Sequence, residues 1–459
     1  MKIGIIGGGI SGVAAAFWID KMLSEEGIDG EITLLEKNNS LGGSIGTVEK
    51  EGFTIESGPN GFLNSKPHTL QLFDEAGLNE NLLPSNDAAR KRFIMRDSKL
   101  VKLPEKPGEF LKSDILSFQG KLRVAAELLI PKKKDNKDET VAEFATRRLG
   151  KEACEYLISP MVSGVFAGDP YKLSLKSCFP VIADLEETYG GLFKGMLKKK
   201  NKKSGPAGPG GVLTSYKGGL INSMTDLSKK TKSVEYRLGD GVNRVEKVHD
   251  KFHIKTASAN EFDFDHLVVA CPSYVASEFF KDMDNELSDS LNKIHYAPAF
   301  VVGFGFDEED VKHDMDGFGY LIPPTENRKI LGALFTSSIF PERAPEGKKL
   351  VRVIMGGDRN PWIVGKPEEE LVLMALEGIN DTLGIKGHPE VVQYFKWNMA
   401  IPQYYRGHSK IVKSIENASE SAGNLYIGGN ILYGIGINDC TRTSFEIAKK
   451  LLENIKAHQ

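Results

Sequence analysis

Three glycines and one acid near the N-terminus carry the clearest chemistry in the sequence. Gly7, Gly9 and Gly12 stand in Gly-x-Gly-x-x-Gly spacing within Gly7-Gly8-Gly9-Ile10-Ser11-Gly12, and Glu36 closes the next apolar run. The first glycine permits a sharp turn. The second lets a backbone approach a pyrophosphate with no Cβ in the way, and the third lets a helix pack close to a strand. A carboxylate about twenty residues past the glycines accepts both hydroxyls of an adenosine ribose and repels a 2′-phosphate, so NADP is disfavoured. These residue types in this order point to a bound dinucleotide.

The glycine spacing alone is a weak signal, and the flanking elements give it weight. Residues 1–6 read as a buried parallel strand, residues 13–19 as a helix, and residues 31–36 as a second strand. The helix N-terminus then offers free N–H groups and partial positive charge to phosphates. Just beyond Glu36 come Leu41-Gly42-Gly43-Ser44 and a second cluster, Gly58-Pro59-Asn60-Gly61, where a backbone must run close against a ligand. Near the other end, Asn424 to Cys440 holds Gly428, Gly429, Gly434 and Gly436 between a strand and a helix that runs to Leu452. That turn places a second helix N-terminus where negative charge can be met.

Composition excludes several classes. The chain has 459 residues, 40% apolar and 26% charged, with a net charge of −3, so no nucleic-acid footprint is present. Cys154, Cys178, Cys271 and Cys440 are far apart, so neither a disulfide framework nor a zinc site is expected, and the compartment reads as reducing. No basic, apolar leader precedes the first strand and no run of about eighteen apolar residues occurs, so neither a secretory signal nor a membrane span is expected.

Residues 62–83 read as helical and are followed by Pro84. Arg90-Lys91-Arg92 leads a strand through Met95, with 102–104 as its hairpin partner. Those basic side chains fit either a solvated strand edge or an anchor for carboxylates. Residues 108–165 read as mostly helical, with a capping-box spacing at Thr140 and Glu143. Residues 194–211, rich in lysine and then in glycine and proline, read as a linker or a lipid-headgroup contact. Residues 242–264 form a meander and 267–271 a buried strand. Strands centred on 300–304, 318–322, 331–335 and 350–355 make a sheet of their own, followed by a helix at 367–383.

With these pieces placed, the chain resembles the protoporphyrinogen/coproporphyrinogen oxidase family of the flavin monoamine oxidase superfamily. The superfamily part is the glycine fingerprint, Glu36 with Gly42-Gly43, and the C-terminal glycine turn. Ser44 stands where relatives usually carry Arg or Lys. The family-specific part is Lys91-Arg92-Phe93, residues 159–170, Leu173 to Pro180, 317–323, 331–335, Phe340-Pro341, Ile401-Pro402-Gln403-Tyr404 with Gly407-His408, and Gly434 to Cys440. The resemblance implies an α/β chain, α+β overall. It would comprise a discontinuous Rossmann-like FAD-binding domain (1–85, 212–285 and 395–459), a mostly helical insertion (86–211) and a mixed-sheet substrate domain (286–394).

The resemblance also implies that FAD is held by Gly7, Gly8, Gly9, Ile10, Ser11, Gly12, Glu36, Lys37, Ser44, Gly58, Pro59, Asn60 and Gly61. Val242, Trp397, Asn430, Ile435, Gly436 and Ile437 complete that set. Arg92 is implied to bind a propionate, and Gly168, Ala299, Leu334 and Phe335 to line a tetrapyrrole pocket. The implied reaction is the six-electron oxidation of protoporphyrinogen IX to protoporphyrin IX in haem synthesis, with O2 as acceptor and hydrogen peroxide as product. Coproporphyrinogen III is the alternative substrate, and an FAD-dependent amine oxidase is the more distant reading. A non-redox member of the superfamily is the remaining rival. Because the chemistry belongs to the cofactor, no catalytic side chain and no metal are expected. His408 fits either a base or the cap of a local turn. A cytoplasmic protein is expected, with a peripheral membrane contact, a homodimer and hand-over to the next enzyme of haem synthesis compatible with the resemblance.

Overall fold

In the computed structural model, which describes residues 1–135, 137–198 and 211–458, the first strand sits at the centre of a parallel sheet. Ile3 and Ile5 are buried towards one face and Ile6 towards the other, the burial that an all-parallel strand requires. The sheet has five strands in the order Val234–Leu238, Glu31–Glu36, Lys2–Ile6, His266–Val269 and Leu425–Ile427. Every neighbouring pair is parallel. One face carries the helices Ile10–Glu26 and Ile437–Ala457, which touch through Trp18 and Phe445 with ring centroids 4.8 Å apart. The other carries the antiparallel meander Val242–Val248, Lys251–Thr256 and Glu261–Phe264. On that side a Cβ at Gly4 would lie 2.5 Å from the Phe264 ring.

A second sheet has seven strands, in the order Val391–Gln403, His295–Asp307, Lys348–Gly356, Ile330–Phe335, Gly319–Leu321, Arg92–Arg96 and Lys99–Lys102. Its neighbours are antiparallel except Gly319–Leu321 with Arg92–Arg96. Phe300, Val302, Phe335, Val351 and Val353 bury one face under the helix Glu368–Leu383. At one end of the opposite face Ile94 meets Ile115, Leu116 and Val124 of the helical segment. At the other end a Cβ on Gly303 would lie 2.7 Å from Ile55.

Several boundaries differ from the sequence reading, for reasons of long-range pairing. The hairpin read near residues 92–104 is present as Arg92–Arg96 and Lys99–Lys102, but instead of belonging to the helical insertion implied for 86–211 it completes the seven-stranded sheet by pairing with Gly319–Leu321. Val391–Gln403 is a single strand of 13 residues that runs through residue 395, because its pairing with His295–Asp307 continues past Trp397. The helix read over 62–83 is confined to Pro67–Glu75: Pro67 starts it and Gly77, at φ +65°, follows its end. Its flanks, Phe62–Leu63 and Leu82–Pro84, pair with Leu213–Tyr216 instead. The segment read as a linker begins inside the helix Leu192–Lys198, and residues 199–210 lie outside the described residues. No helix among the described residues is long and apolar enough to cross a membrane.

The helical segment is held by a buried charge pair. The capping box at Thr140 and Glu143 is present. In the helix that it starts, Arg148 is fully buried, with Nε donating to Glu127 at 2.9 Å and Nη1 to Glu186 at 3.2 Å. Glu127 also accepts the Leu192 N–H at 2.7 Å. Removing the cation strands a buried carboxylate, which costs about 3–5 kcal/mol. In urea unfolding of the full chain, Arg148→Leu should lose about that much, and the Arg148→Leu/Glu127→Leu pair should recover part of it. A near-neutral single variant would contradict this account.

Candidate active site

The fingerprint turn is built by close backbone approach. Gly7 has φ +108°, and its N–H donates to the Leu35 carbonyl at 2.9 Å. A Cβ on Gly12 would lie 1.8 Å from the Gly7 carbonyl oxygen, so only glycine lets helix and strand meet there. Glu36 is buried, and accepts the Gly8 N–H at 2.7 Å on Oε2 and the Asn38 N–H at 2.9 Å on Oε1. Each oxygen keeps a lone pair for a further donor. Gly42 N–H donates to the Gly8 carbonyl at 2.8 Å, and a Cβ on Gly43 would lie 3.2 Å from Gly9 Cα. The glycine pair therefore lies against the turn itself. A Cβ on Gly9, by contrast, would have no neighbour nearer than 3.8 Å. The helix that starts after Gly9 has no side-chain cap and no acid in its first turn. An open glycine before an uncapped helix N-terminus fits an incoming pyrophosphate. Ile10 and Ser11 lie in this first turn, while Lys37 and Ser44 are exposed beside it. Val242 begins the meander close to Glu36, whose carbonyl accepts the Asp240 N–H at 3.0 Å.

Residues 57–61 are gripped from the large sheet. The Trp397 indole donates to the Ser57 carbonyl at 3.1 Å, and Arg352 donates to the Gly58 carbonyl. Arg343 donates to Asn60 Oδ1 at 2.9 Å and pairs with Glu56 at 2.7 Å. Glu56 in turn accepts from the Thr47 hydroxyl at 2.6 Å and the Leu220 N–H at 2.9 Å. A Cβ on Gly61 would lie 2.5 Å from the Thr214 carbonyl oxygen. Asn60 Nδ2 is buried without a hydrogen-bond partner among the described residues, so it is available to a ligand acceptor. Burial pushes the Arg343 guanidinium down and that of Arg352 down to about 10.

The second glycine turn is braced from below. Gly428 N–H donates to the Val269 carbonyl at 2.9 Å, and a Cβ on Gly429 would sit 3.9 Å from Ser11 Oγ, so the two turns face each other. The Tyr404 hydroxyl donates to the Asn430 carbonyl at 2.6 Å and accepts the Gly434 N–H at 3.0 Å. His408 stacks on Tyr404 with centroids 4.0 Å apart, and its Nε2 donates to the Leu432 carbonyl at 3.2 Å. Ile435 packs in the cluster of Tyr404 and Phe166, and Gly436 precedes the uncapped helix that begins at Ile437. Burial lowers the His408 pKa to about 4. Of the two roles left open for His408, the structure gives it the turn.

The residues expected to meet substrate fall into separate places. Arg92, Gly319, Leu334, Arg352 and Gly303 are paired in one row across the large sheet, so their side-chain positions share one face. The Arg92 guanidinium stands 5.4 Å from the centroid of the Phe318 ring, and Leu334 packs with Phe318 and Leu213. Burial pushes the Arg92 pKa down. Ala299 lies on the same face, paired with Trp397. Phe335 does not join them. Strand alternation turns it to the opposite face, where it is buried among Phe93, His313 and Tyr320. Gly168 is buried, with a Cβ position only 2.6 Å from Gln403 Oε1.

Sequence reasoning gave no role to Glu56, Arg343, Arg352 or Tyr404. The one available signal was Arg352, a charge inside the apolar run 350–355.

A family model described as flavin containing amine oxidoreductase matches residues 10–452. The chain belongs to that family. Over 452 residues it is 31% identical to the coproporphyrinogen III oxidase of Bacillus subtilis (strain 168), covering 95% of this chain and 94% of that one. Over 474 residues it is 31% identical to the chloroplastic protoporphyrinogen oxidase of Oryza sativa subsp. japonica, covering 97% of this chain and 87% of that one. These relatives put it among the protoporphyrinogen/coproporphyrinogen oxidases. A crystal structure of a candidate protoporphyrinogen oxidase from Exiguobacterium sp. 255-15 has the same fold. Its TM-score is 0.85 at 24% identity, covering 100% of this chain and 99% of that one. This family member is an FAD-dependent oxidoreductase.

Two outcomes follow for the flavoprotein. Gly9→Val should fold, because a Cβ there makes no contact closer than 3.8 Å, yet purify without the yellow colour of the parent. A yellow variant would remove Gly9 from the cofactor site. His408 takes up a proton more readily in the unfolded chain, at about 6.5, than in the fold, at about 4. Stability is therefore complete above about 6.5 and falls as pH drops towards 4, by about 3 kcal/mol at most. Urea midpoints measured across that interval should show a slope that is reduced in His408→Gln. An unchanged slope would assign the acid sensitivity to other groups.

Proposed function

We propose that this flavoprotein oxidises protoporphyrinogen IX to protoporphyrin IX in haem synthesis, removing six electrons, with O2 as acceptor and hydrogen peroxide as product. The observation that carries the reading is the near full-length identity to enzymes named for porphyrinogen oxidation. FAD supplies the electron-accepting ring, which is why no catalytic side chain is assigned. Gly7 to Gly12 take the pyrophosphate, and Glu36 takes the ribose with Lys37, Ser44 and Val242 near the adenosine end. Gly58, Pro59, Asn60, Gly61, Trp397, Asn430, Ile435, Gly436 and Ile437 hold the rest of the cofactor. The orphaned Asn60 Nδ2 and the open side of Gly9 support that placement.

On the substrate side the protein binds and orients. Arg92 anchors a propionate, because a guanidinium matches a carboxylate in bidentate fashion. Leu334 and Ala299 give the tetrapyrrole apolar surface, whereas Phe335 contributes by backing the strand and Gly168 by packing under Gln403 and Leu173. The slot excludes water from the reacting carbon and holds it near the acceptor. Pyrrole N–H protons leave to solvent.

A second reading, coproporphyrinogen III as substrate, is favoured by the match to the Bacillus enzyme over 94% of its length. It adds two propionates and so needs further cations. Lys172 and Arg359, the basic residues beside Gly168, are paired with Asp358 and Asp169 at 3.2 Å each.

The protein is assigned to the cytoplasm, with a peripheral contact at the membrane face. Leu111, Phe118, Leu122, Leu129, Val181 and Leu197 of the helical segment are exposed, amid several lysines. Such a surface suits a lipid interface. An apolar product makes hand-over to the next enzyme there chemically sensible, and a homodimer is compatible with it.

Aerobic turnover of each porphyrinogen offered separately, read by porphyrin fluorescence, tests the assignment. Faster turnover of protoporphyrinogen IX is expected; preference for the other substrate selects the second reading, and no fluorescence with either overturns both. Arg92→Ala should raise KM more than it lowers kcat, with a loss of about 1.5–3 kcal/mol in kcat/KM. An unchanged KM would remove the anchor.

A further inference from the structure

Arg352 is a buried cation whose charge the protein does not match. It is 3% exposed in the strand Lys348–Gly356, in one row with Leu334 and Arg92. It donates to the Gly58 carbonyl, and its Nε has no partner among the described residues. The carboxylate acting on it is Glu56, which is also buried and already ion-paired to Arg343 at 2.7 Å. Two buried guanidinia therefore share one carboxylate. A carbonyl can be satisfied by a neutral donor, and burying an unmatched charge costs several kcal/mol. In an otherwise apolar run, an arginine held at that cost is explained by a negative charge that develops on a bound ligand.

The position says which part of the ligand. The pyrophosphate is assigned above to Gly9, at the turn after the central strand of the parallel sheet. Arg352 pairs in register with Leu334, assigned above to the substrate, and donates to the carbonyl of Gly58, assigned above to the cofactor, so it stands where ring and substrate would meet. We infer that Arg352 is a positioning residue that holds positive charge near the flavin ring and favours the ring's negatively charged, electron-rich form. This rests on the cofactor placement proposed above. It makes the ring a better electron acceptor without touching the substrate, and it stiffens the 57–58 backbone through the same guanidinium.

The test uses the purified full-length holoprotein with Arg352→Gln, which keeps a donor for Gly58 and removes the charge, and Arg352→Lys, which keeps the charge. Sulfite, which forms an adduct with oxidised flavin more tightly when positive charge lies near the ring, is the probe, alongside the two-electron reduction potential. Arg352→Gln should bind sulfite about tenfold more weakly and have a potential lower by about 30 mV, the equivalent of tenfold for two electrons. Arg352→Lys should restore both towards the parent. Parental values in a yellow Arg352→Gln protein overturn the inference, as does an Arg352→Lys protein no closer to the parent than Arg352→Gln. If Arg352→Gln does not fold, Arg352→Lys decides alone: parental values support the inference and a tenfold loss overturns it. Gly9→Val separates the two levels, since a yellow Gly9→Val protein overturns the cofactor placement itself.

Discussion

The buried pair Glu56–Arg343 is the joint on which the two sheets depend. Glu56 ends the short strand Phe53–Glu56 and gathers the Thr47 hydroxyl, the start of the helix Leu220–Ser228 and the Arg343 guanidinium. Arg343 carries the link on to Asn60 and to Ser215, whose Oγ accepts at 2.5 Å. Two ions taken out of water are costly, and only a full set of partners offsets that cost. Glu56 has such a set. It fixes the start of residues 57–61, which Trp397, Arg352 and Arg343 then hold in place.

Around that joint, the proposed cofactor region is made mostly of backbone. Two helix N-termini without side-chain caps, those after Gly9 and Gly436, sit at the two glycine turns. Bare N–H groups and helix dipoles give positive potential with little side-chain bulk. The side chains that matter here work one step back. Trp397 and Arg352 hold successive carbonyls, and Tyr404 with His408 holds the second turn. This division suits an enzyme whose reactive chemistry is carried by a bound ring: the protein's task is to keep a thin, bare wall in place.

What could be read from the sequence was whatever local geometry dictates. The Gly7 to Gly12 turn, the Glu36 acid and the Thr140 cap are each set within a few residues, so their spacing exposes them. The parallel sheet was legible as a class from the apolar stretches at residues 3–6 and 267–269, whereas its edge strand Val234–Leu238, with Glu235 and Arg237, gave no such signal. Residues that take meaning from distant partners were not legible. Arg92–Arg96 becomes part of the sheet only because Gly319–Leu321 offers it an edge, and nothing near residue 92 announces that. Leu334 and Phe335 are neighbours in the chain and face opposite ways, a distinction that follows from strand alternation alone. Arg352 was visible as an anomaly, but its partner carbonyl lies almost three hundred residues earlier.

The order of the parallel sheet has a consequence for biosynthesis. Its central strand, Lys2–Ile6, is made first, its neighbour His266–Val269 much later, and the outer strand Leu425–Ile427 near the end. The helix that packs on the first one, Ile437–Ala457, comes later still. A ribosome-bound chain therefore carries its central strand for most of translation without its second neighbour and without the meander that covers its other face. Pairing across such separations is slow and leaves sticky edges exposed. The second glycine turn, which faces the first, is completed only when residues 428–436 have been made, so the proposed cofactor site is assembled at the very end of synthesis.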